Sequence, residues 1–416
     1  MAGGGPAGFM AAIAAAEAGA RRVLVLEGTP EPLGKVLISG GGRCNVTHAC
    51  WDPQELVGHY PRGSRALRGP FSRFASGDAL AWFADHGLEL VEEADGRLFP
   101  RSNRSSSVIH TLRRAAERAG VVLRTRTALQ EVAVCPDGGF SLGLRQPGGA
   151  APLQSDRLVL ATGSHPSGRR LAQALGHGLV PPVPSLFSLS LAGAPLVALA
   201  GVSLDPVGLE LELDLPESAP PGTASRYRQQ GPLLITHRGV SGPAILRLTA
   251  FAARALHHSG YRGRLSLDWS GGRSQAELDA LFAVLRQQQA RRQLGTVRPW
   301  PALSRRLWLQ LLEGAAVDPQ LRWADLGKRP QQQLISALRG SCYAVAGRGP
   351  FGEEFVTAGG VPLGEVNLAT MESRRQPGLF LVGELLDVDG VTGGFNFQHC
   401  WSSGWLAGQA LAVDGG

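Results

Sequence analysis

Gly3-Gly4-Gly5-Pro6-Ala7-Gly8 stands at the head of the chain and runs into an alanine-rich stretch, Ala7 to Gly19. Glycines at the first, third and sixth places of GxGxxG, directly before a helical pattern, read as a turn that feeds a helix. Arg22-Val-Leu-Val-Leu-Glu27 reads as the following buried strand, and it ends in an acid 19 residues beyond Gly8. Each part has a physical role in holding a dinucleotide. Gly3 permits the tight turn, Gly5 lets the backbone approach a pyrophosphate, and Gly8 lets the helix pack against the sheet. Pro6 and Ala7 begin the helix, whose free N–H groups and partial positive charge suit phosphates. Glu27 is placed to accept hydrogen bonds from ribose hydroxyls. Only Met1 and Ala2 precede the glycines, so the strand expected to feed the turn is missing. The expectation is a true start further upstream, or a shortened gene, with ~5 to 7 strand residues lost.

Three further glycine-bearing segments extend this reading. In Lys35-Val-Leu-Ile-Ser-Gly-Gly-Gly-Arg-Cys-Asn45 the glycines allow a flat loop along a ligand, to which Lys35, Arg43, Cys44 and Asn45 bring polar groups. Val159-Leu-Ala-Thr-Gly163 is a strand-to-turn passage whose end, Ala161, Thr162 and Gly163, closes over a nucleotide. Leu381-Val-Gly-Glu384 and the later Gly393-Gly394-Phe395-Asn396 set a strand end, with Gly383 and Glu384, against a glycine-opened helix N-terminus. That arrangement suits a ribityl chain and the negative charge that develops on a reduced flavin. The set points to flavin rather than nicotinamide.

Working outward, the chain of 416 residues is too long for one ordinary domain. Glycine and proline together make up roughly a fifth, below the range of disordered or collagenous chains. Strands and helices alternate to about residue 165, with a helix at Thr111 to Ala119 and two strands or a hairpin at Val121 to Val134. From about 186 the texture changes to short alternating strands, such as Leu209 to Leu215, then to helices between about 275 and 340. Beyond Gly349 the alternating texture returns, with a strand in Gly378 to Glu384 and a last helix from Gln398. The expected fold class is α/β. A Rossmann-like FAD-binding domain is predicted from residues 1–185 and 346–416, interrupted by an insert domain of β-barrel and helical parts at 186–345.

The run Leu186 to Leu204 is uncharged but broken by Gly193, Pro195 and Gly201, so it reads as short strands and no membrane span is expected. The opening MAGGGPAG lacks the charged and apolar regions of a secretion signal, which leaves the cytoplasm as the expected location. Five cysteines, Cys44, Cys50, Cys135, Cys342 and Cys400, show no CxxC and no histidine at ligand spacing. They support neither a disulfide framework nor a metal site.

Net charge is +7, and all but Lys35 and Lys328 of the 41 basic residues are arginine. Residues 284 to 340 hold ten of the basic residues and three acids, a surplus equal to that of the whole chain. Trp300, Trp308 and Trp323 lie among those arginines. The combination fits tracking of a phosphate backbone with stacking of bases, although base rates favour a solvated helical face with its tryptophans turned to the core.

The chain resembles the BaiN/RdsA (YhiN-like) flavoproteins, a family that includes aminoacetone oxidase-like enzymes. The resemblance lies in GGGPAGFMAA at 3 to 12, ISGGGRCNVTH at 38 to 48, GRLFPRS at 96 to 102, LVLATG at 158 to 163, LLITHRGVSGPAIL at 233 to 246, FVTAGGV at 355 to 361, and GLFLVGELLDVDGVTGGFNFQHCWSSGWLAG at 378 to 408. It implies FAD contacts at Gly3, Gly5, Gly8, Glu27, Lys35, Arg43, Cys44, Asn45, Gly163, Gly383, Glu384 and Gly393 to Asn396. It allows dihydrouridine formation in ribosomal RNA, reduction of a steroid-like enone, or oxidation of a small amine by O2, with NAD(P)H as an electron donor to test. The partner is therefore a small molecule or ribosomal RNA.

Side chains for the chemistry are harder to name, because a flavin supplies the reactive centre itself. Arg101 and Arg104 are candidates for an anionic substrate, and a solvated loop explains them as well. His399 is read as a packed histidine, with proton donation as the alternative, and Thr236, His237 and Ser241 as residues facing a cleft. Two other classes stay open. A pyridine nucleotide-disulfide reductase is suggested by Cys44 and Cys50, although that class uses CxxxxC and five residues intervene here; the extra residue turns a helical pair by ~100°. A binding protein without FAD is the other.

Overall fold

The computed structural model describes residues 1–149, 151–191, 193–349 and 356–413. The segments 350–355 and 414–416, which the sequence assigns to the second FAD-binding part, lie outside the described residues, as does Phe355 of the FVTAGGV stretch. The chain forms two compact units, one from residues 1–182 with 356–416 and the other from 183–355.

In the first unit, helix α1 (Pro6–Glu17) starts with proline in its first turn and is buried on all sides from Ala7 to Ala15. Strand β1 (Leu24–Leu26) follows, then the short helix α2 (Gly34–Gly42). β2 (Val122–Arg124) pairs in parallel with β1, and β3 (Leu158–Leu160) lies further along the same sheet. Ala2 bridges in parallel to both Leu26 and Leu160, so Met1 and Ala2 occupy the strand position between β1 and β3. Their backbone donates from Ala2 to Val159 O at 2.8 Å and accepts at Met1 O from Leu26 at 2.9 Å. The pair expected at Val121 to Val134 is not a hairpin. Its first half is β2, while the second, Ala128–Val134, pairs with Phe140–Arg145 in a separate antiparallel sheet. The helix expected at Thr111 runs over Ser105–Arg118, its apolar residues Val108, Leu112 and Ala115 facing the core.

The second unit carries a seven-stranded antiparallel sheet. In order it runs Ser341–Val345, Gly263–Asp268, Ser203–Leu213, Arg226–Thr236, Gly239–Ser241, Leu189–Ser190 and Gly347–Arg348. Its first and last members are one passage of chain, parted by Ala346 alone, and Ala346 N–H donates to Ser190 O at 2.9 Å. The sheet thereby closes on itself as the expected barrel. Leu204, Val207, Leu209, Leu211 and Leu213 point inward from the long strand. Inside Leu186 to Leu204 the outcome differs from a series of short strands. Pro195 starts a 3₁₀ turn, Pro195–Leu199, between one two-residue strand and the long one.

A helix at Pro243–His258, for which no expectation was formed, packs Ile245, Leu248, Ala252 and Leu256 into the barrel core. Helices α3 (Gln275–Gln288), α4 (Arg305–Gly314) and α5 (Lys328–Gly340) complete the unit. Trp308 and Trp323 are fully buried among them, stacked with ring centroids 6.5 Å apart, and Trp308 Nε1–H donates to Leu294 O at 2.7 Å. Trp300 packs on the same core beneath the Arg273 guanidinium. Trp308 and Trp323 build the core, so neither is available to stack bases.

Back in the first unit, β4 (Leu379–Leu381) pairs in parallel with β3, and helix α6 (Phe395–Val413) lies along α1. That approach is close. A Cβ on Gly404 would stand 2.6 Å from Ala7 O, and one on Gly408 2.7 Å from Ala11 O. Among the described residues no helix is long and apolar enough to cross a membrane.

Candidate active site

The opening turn takes its shape from what surrounds each glycine. Gly3 has φ +115°, and a Cβ there would meet Ala161 O at 2.4 Å. A Cβ on Gly8 would lie 2.0 Å from Gly3 O, so the sixth position lets α1 start immediately behind its own turn. Gly5 has open space where its side chain would be, the room a bound pyrophosphate needs. Gly4, to which the sequence reading gave no role, sits 2.9 Å from Glu27 by the same measure, and its N–H donates to Glu27 Oε2 at 2.8 Å. The other oxygen of Glu27 accepts from Thr29 N–H and Oγ1–H. The acid is thus tied to the turn. Just beyond it, Gly28, Pro30, Arg126, Arg145, Gln146 and Pro147 line a cavity of about 460 Å³.

Segment 35–45 differs from the flat loop expected of it. Its first half is the helical turn of α2, after which Ser39 turns extended and Gly40, Gly41 and Gly42 take φ of 56°, 68° and 85°. Left-handed backbone of this kind is what glycine permits. Lys35 Nζ reaches Glu384 at 2.5 Å and Ser164 Oγ at 3.1 Å, so two residues 349 apart in sequence meet. Arg43 pairs with Glu93 at 2.7 Å, lies over the Phe99 ring and reaches Asn103 Oδ1 at 3.3 Å. Those contacts bring the GRLFPRS turn beside the glycines.

Cys44 is buried, and burial pushes its thiol up to about 12; burial raises Cys50 as well. A thiolate is the nucleophile in disulfide exchange, so this pair is poorly suited to that reaction.

The remaining segments meet at the ends of β3 and β4. Gly163 (φ 59°) faces Glu384, and Gly383 (φ 66°) lies against Ala7 of α1. Gly394 lets α6 begin hard against Thr47, where a Cβ would stand 2.7 Å from the carbonyl carbon. The Phe395 ring stacks with His59, at 4.1 Å, and with His48, at 4.8 Å, the two histidine rings lying 5.9 Å apart, and Tyr60 O–H donates to Phe395 O at 2.6 Å. Asn396 spends its side chain on Gly390, accepting from its N–H and donating to its carbonyl. The loop itself is locked by the ion pair of Arg62 with the fully buried Asp389.

His399 donates Nε2–H to Gly383 O, and burial lowers its pKa to about 4. It is the packed histidine, uncharged at neutral pH. Arg101 pairs with Glu89 at 3.0 Å on the surface, and Arg104 is the exposed residue that precedes the helix Ser105–Arg118. Thr236 ends one barrel strand, with His237 in the turn, and Ser241 accepts from Ser188 Oγ–H at 2.7 Å in the second unit.

A flavin dinucleotide fits what is present. Asn45 Oδ1 and Thr162 Oγ1 are buried without a hydrogen-bond partner. Unpaired buried polar atoms of this kind are costly unless a ligand satisfies them. The open space at Gly5 and the cavity beyond Glu27 give a dinucleotide room, and Asn45 Oδ1 offers it an unsatisfied acceptor, whereas Thr162 Oγ1 lies against Gly168. The sequence reading passed over His48, His59 and Ser164. Only His48 carried a signal, as the last residue of the ISGGGRCNVTH stretch.

A helix N-terminus behind a glycine turn, an acid on the next strand, and a second glycine-opened helix from the far end of the chain define a dinucleotide-binding flavoprotein. The chain belongs to the HI0933-like family, whose Rossmann-domain model matches residues 1–410, and it is an FAD-dependent oxidoreductase. It is 30% identical to the 3-dehydro-bile acid delta(4,6)-reductase of Clostridium scindens, over 99% of this chain and 98% of that one. It is 29% identical to the ribosomal RNA dihydrouridine synthase of Escherichia coli, over 98% and 96%. Among solved structures it is similar in fold to 3-ketosteroid delta1-dehydrogenase from Sterolibacterium denitrificans, with TM-score 0.51, 12% identity, and coverage of 99% of this chain and 98% of that one.

Proposed function

We propose that this enzyme reduces a carbon–carbon double bond conjugated to a carbonyl, that its substrate is a uridine of ribosomal RNA in the cytoplasm, and that NAD(P)H is the electron donor. The names of the two relatives are compatible with that chemistry, a delta(4,6)-reductase of a 3-dehydro-bile acid in one and a dihydrouridine synthase for ribosomal RNA in the other; reducing such a bond takes hydride at the far carbon and a proton at the near one. The observation that carries the reading is the convergence of glycine segments on the Lys35–Glu384 pair, with Gly163 facing Glu384 and Gly383 against Ala7. The surplus of positive charge in residues 284 to 340 favours RNA over a neutral small molecule.

The chemistry that FAD supplies when bound is hydride transfer. In this reading residues 1–185 and 346–416 hold it and 186–345 form the insert. Gly3, Gly5, Pro6, Ala7 and Gly8 hold the pyrophosphate, and Glu27 the adenosine ribose. Lys35, Arg43, Asn45 and the Cys44 backbone line one side, and Ala161, Thr162 and Gly163 close over the nucleotide. Gly383, Glu384 and the Gly393, Gly394, Phe395 and Asn396 helix start direct N–H groups to the electron-rich part. Arg101 and Arg104 contact the anionic substrate. His399 keeps its proton on Gly383 O and does not serve as the acid.

The test is anaerobic addition of NADPH to the purified yellow protein, followed by ribosomal RNA from cells lacking the gene. Bleaching by NADPH and recovery of colour on adding RNA, with dihydrouridine appearing in the digest, is the expected result. No bleaching by NADPH, with reduction by a small amine and reoxidation by O2, would replace this reading with an oxidase.

A further inference from the structure

We infer that the outer face of α3, α4 and α5 in the second unit is an RNA-docking surface, separate from the residues that hold the cofactor. The inference rests on the reading above that RNA is the substrate. The helices turn Leu278, Phe282, Leu307, Trp308, Leu334 and Ile335 into the core, which leaves their charged faces outward. Of the ten basic residues in 284 to 340, nine are exposed.

Local hydrogen bonds gather them. Segment 290–295 runs antiparallel to 319–324, with Leu294 N–H on Leu321 O, Trp323 N–H on Arg292 O, and Gln293 opposite Arg322. Arg291 and Arg322 are both exposed along this ladder. Arg286, in the last turn of α3, reaches Gln331 in α5 at 3.4 Å, beside Lys328 and Arg329 in that helix's first turn. Arg305 Nε–H reaches Gly295 O, at the end of the ladder, at 3.3 Å.

Three features single this surface out. First, among the described residues none of these six cations makes an ion pair, whereas the barrel of the same unit pairs Arg226 with Glu212 and Arg228 with Glu210. The acids nearby face other partners or solvent: Asp279 accepts from Gln275 and Gln331, Asp318 accepts from Gln320 N–H, and Glu313 and Asp325 are exposed. Second, α4 and α5 begin with Arg305-Arg306 and Lys328-Arg329 and have no acid in their first turns. Cations at that end oppose the helix dipole, so the arrangement raises positive potential at the expense of the helices. Third, the only large apolar side chain exposed in this stretch, among the described residues, is Val284. A membrane or a protein partner would require an apolar anchor. Unpaired arginine forks without one suit phosphate oxygens.

The experiment uses the FAD-loaded enzyme and protein-free ribosomal RNA, with binding read by filter retention across a salt series and phosphatidylserine vesicles as the comparison. Arg291→Glu, Arg322→Glu, Lys328→Glu and Arg329→Glu are combined in one variant, and the same four changed to Gln in a milder one. The reversed variant should bind RNA at least roughly 100-fold more weakly, with a log–log salt slope shallower by about 3, and the Gln variant should fall between. Flavin content and NADPH-driven reduction of O2 should be unchanged in both. Wild-type retention of RNA by either variant overturns the inference, and so does equal binding of the intact enzyme to vesicles. Binding uses no turnover, so the two readings fail separately. An enzyme that docks RNA through this face but makes no dihydrouridine keeps the surface and loses the proposed reaction. A reversed variant that modifies RNA at the wild-type rate does the opposite.

Discussion

The two units build their working surfaces from different materials. In the first, the site is mostly backbone: glycines at 3, 8 and 394 bring main chain within distances that any side chain would forbid, and Gly163 and Gly383 take positive φ. In the second, the barrel and its helices are filled by Leu, Trp and Phe side chains, and the outward face is a set of long charged ones. A backbone-built site should fail abruptly when one atom is added. A core built from side chains should lose stability in proportion to what is removed.

The sharpest way to break the comparison is Gly8→Val. With Gly3 O only 2.0 Å from the first added carbon, the turn and the helix cannot both keep their places. FAD affinity should drop by more than roughly 1000-fold, equivalent to ~4 kcal/mol, measured by loss of bound flavin on gel filtration. Next in size is Trp308→Ala, which should cost about 3–5 kcal/mol in the second unit. Denaturant unfolding should show this loss with flavin still bound by the first unit; simultaneous release of FAD would contradict a separate core.

A third effect tests the buried face of α6. His399 is held neutral by burial, its pKa lowered to about 4 from an ordinary 6.5. The unfolded chain binds this proton first, so the contribution is complete above about pH 6.5 and declines as the pH falls towards 4. The whole loss is about 3 kcal/mol. His399→Gln should flatten that part of the stability–pH curve, followed by thermal unfolding from pH 7 to 4. The smallest effect belongs to Lys35→Met. Its partner Glu384 is mostly buried, but Lys35 is 46% exposed, so stability should change by less than about 1 kcal/mol. FAD affinity should still fall about tenfold, the equivalent of one charge-assisted hydrogen bond, as read by flavin titration of the apoprotein.

What was legible in the sequence was local. The turn, its helix and Glu27 stand at fixed spacing because a β–turn–α unit has fixed dimensions, so residue types alone located them. Segment 35–45 was half legible: three glycines announced unusual φ values, yet Lys35 to Ile38 form a helical turn that the glycine run masked. The Lys35–Glu384 contact and the unpartnered Asn45 and Thr162 atoms were not legible, because tertiary packing creates them from segments far apart in the chain. Arg101 was legible as part of the GRLFPRS motif, whereas its surface pairing with Glu89 was not. The helix Pro243–His258 carried a proline start and a regular apolar face, both hidden inside a stretch read only for its resemblance. Closure of the barrel rests on one short passage, Ala346 to Arg348, set against Leu189 and Ser190, and no sequence pattern marks it.

The packing of α6 against α1 through Gly404 and Gly408 has a consequence for how the enzyme is made. The turn at residues 3 to 8 leaves the ribosome first, yet the strand and helix that complete its surroundings begin only at Leu379 and Phe395. At ordinary rates of synthesis, ~5–20 residues per second, the opening helix waits roughly 20–80 seconds with Ala11 and Ala14 lacking the cover of Gly404 and Gly408. Capture of FAD therefore belongs to the finished chain, and a premature stop ahead of Gly404 silences a site whose best-known motif it leaves untouched.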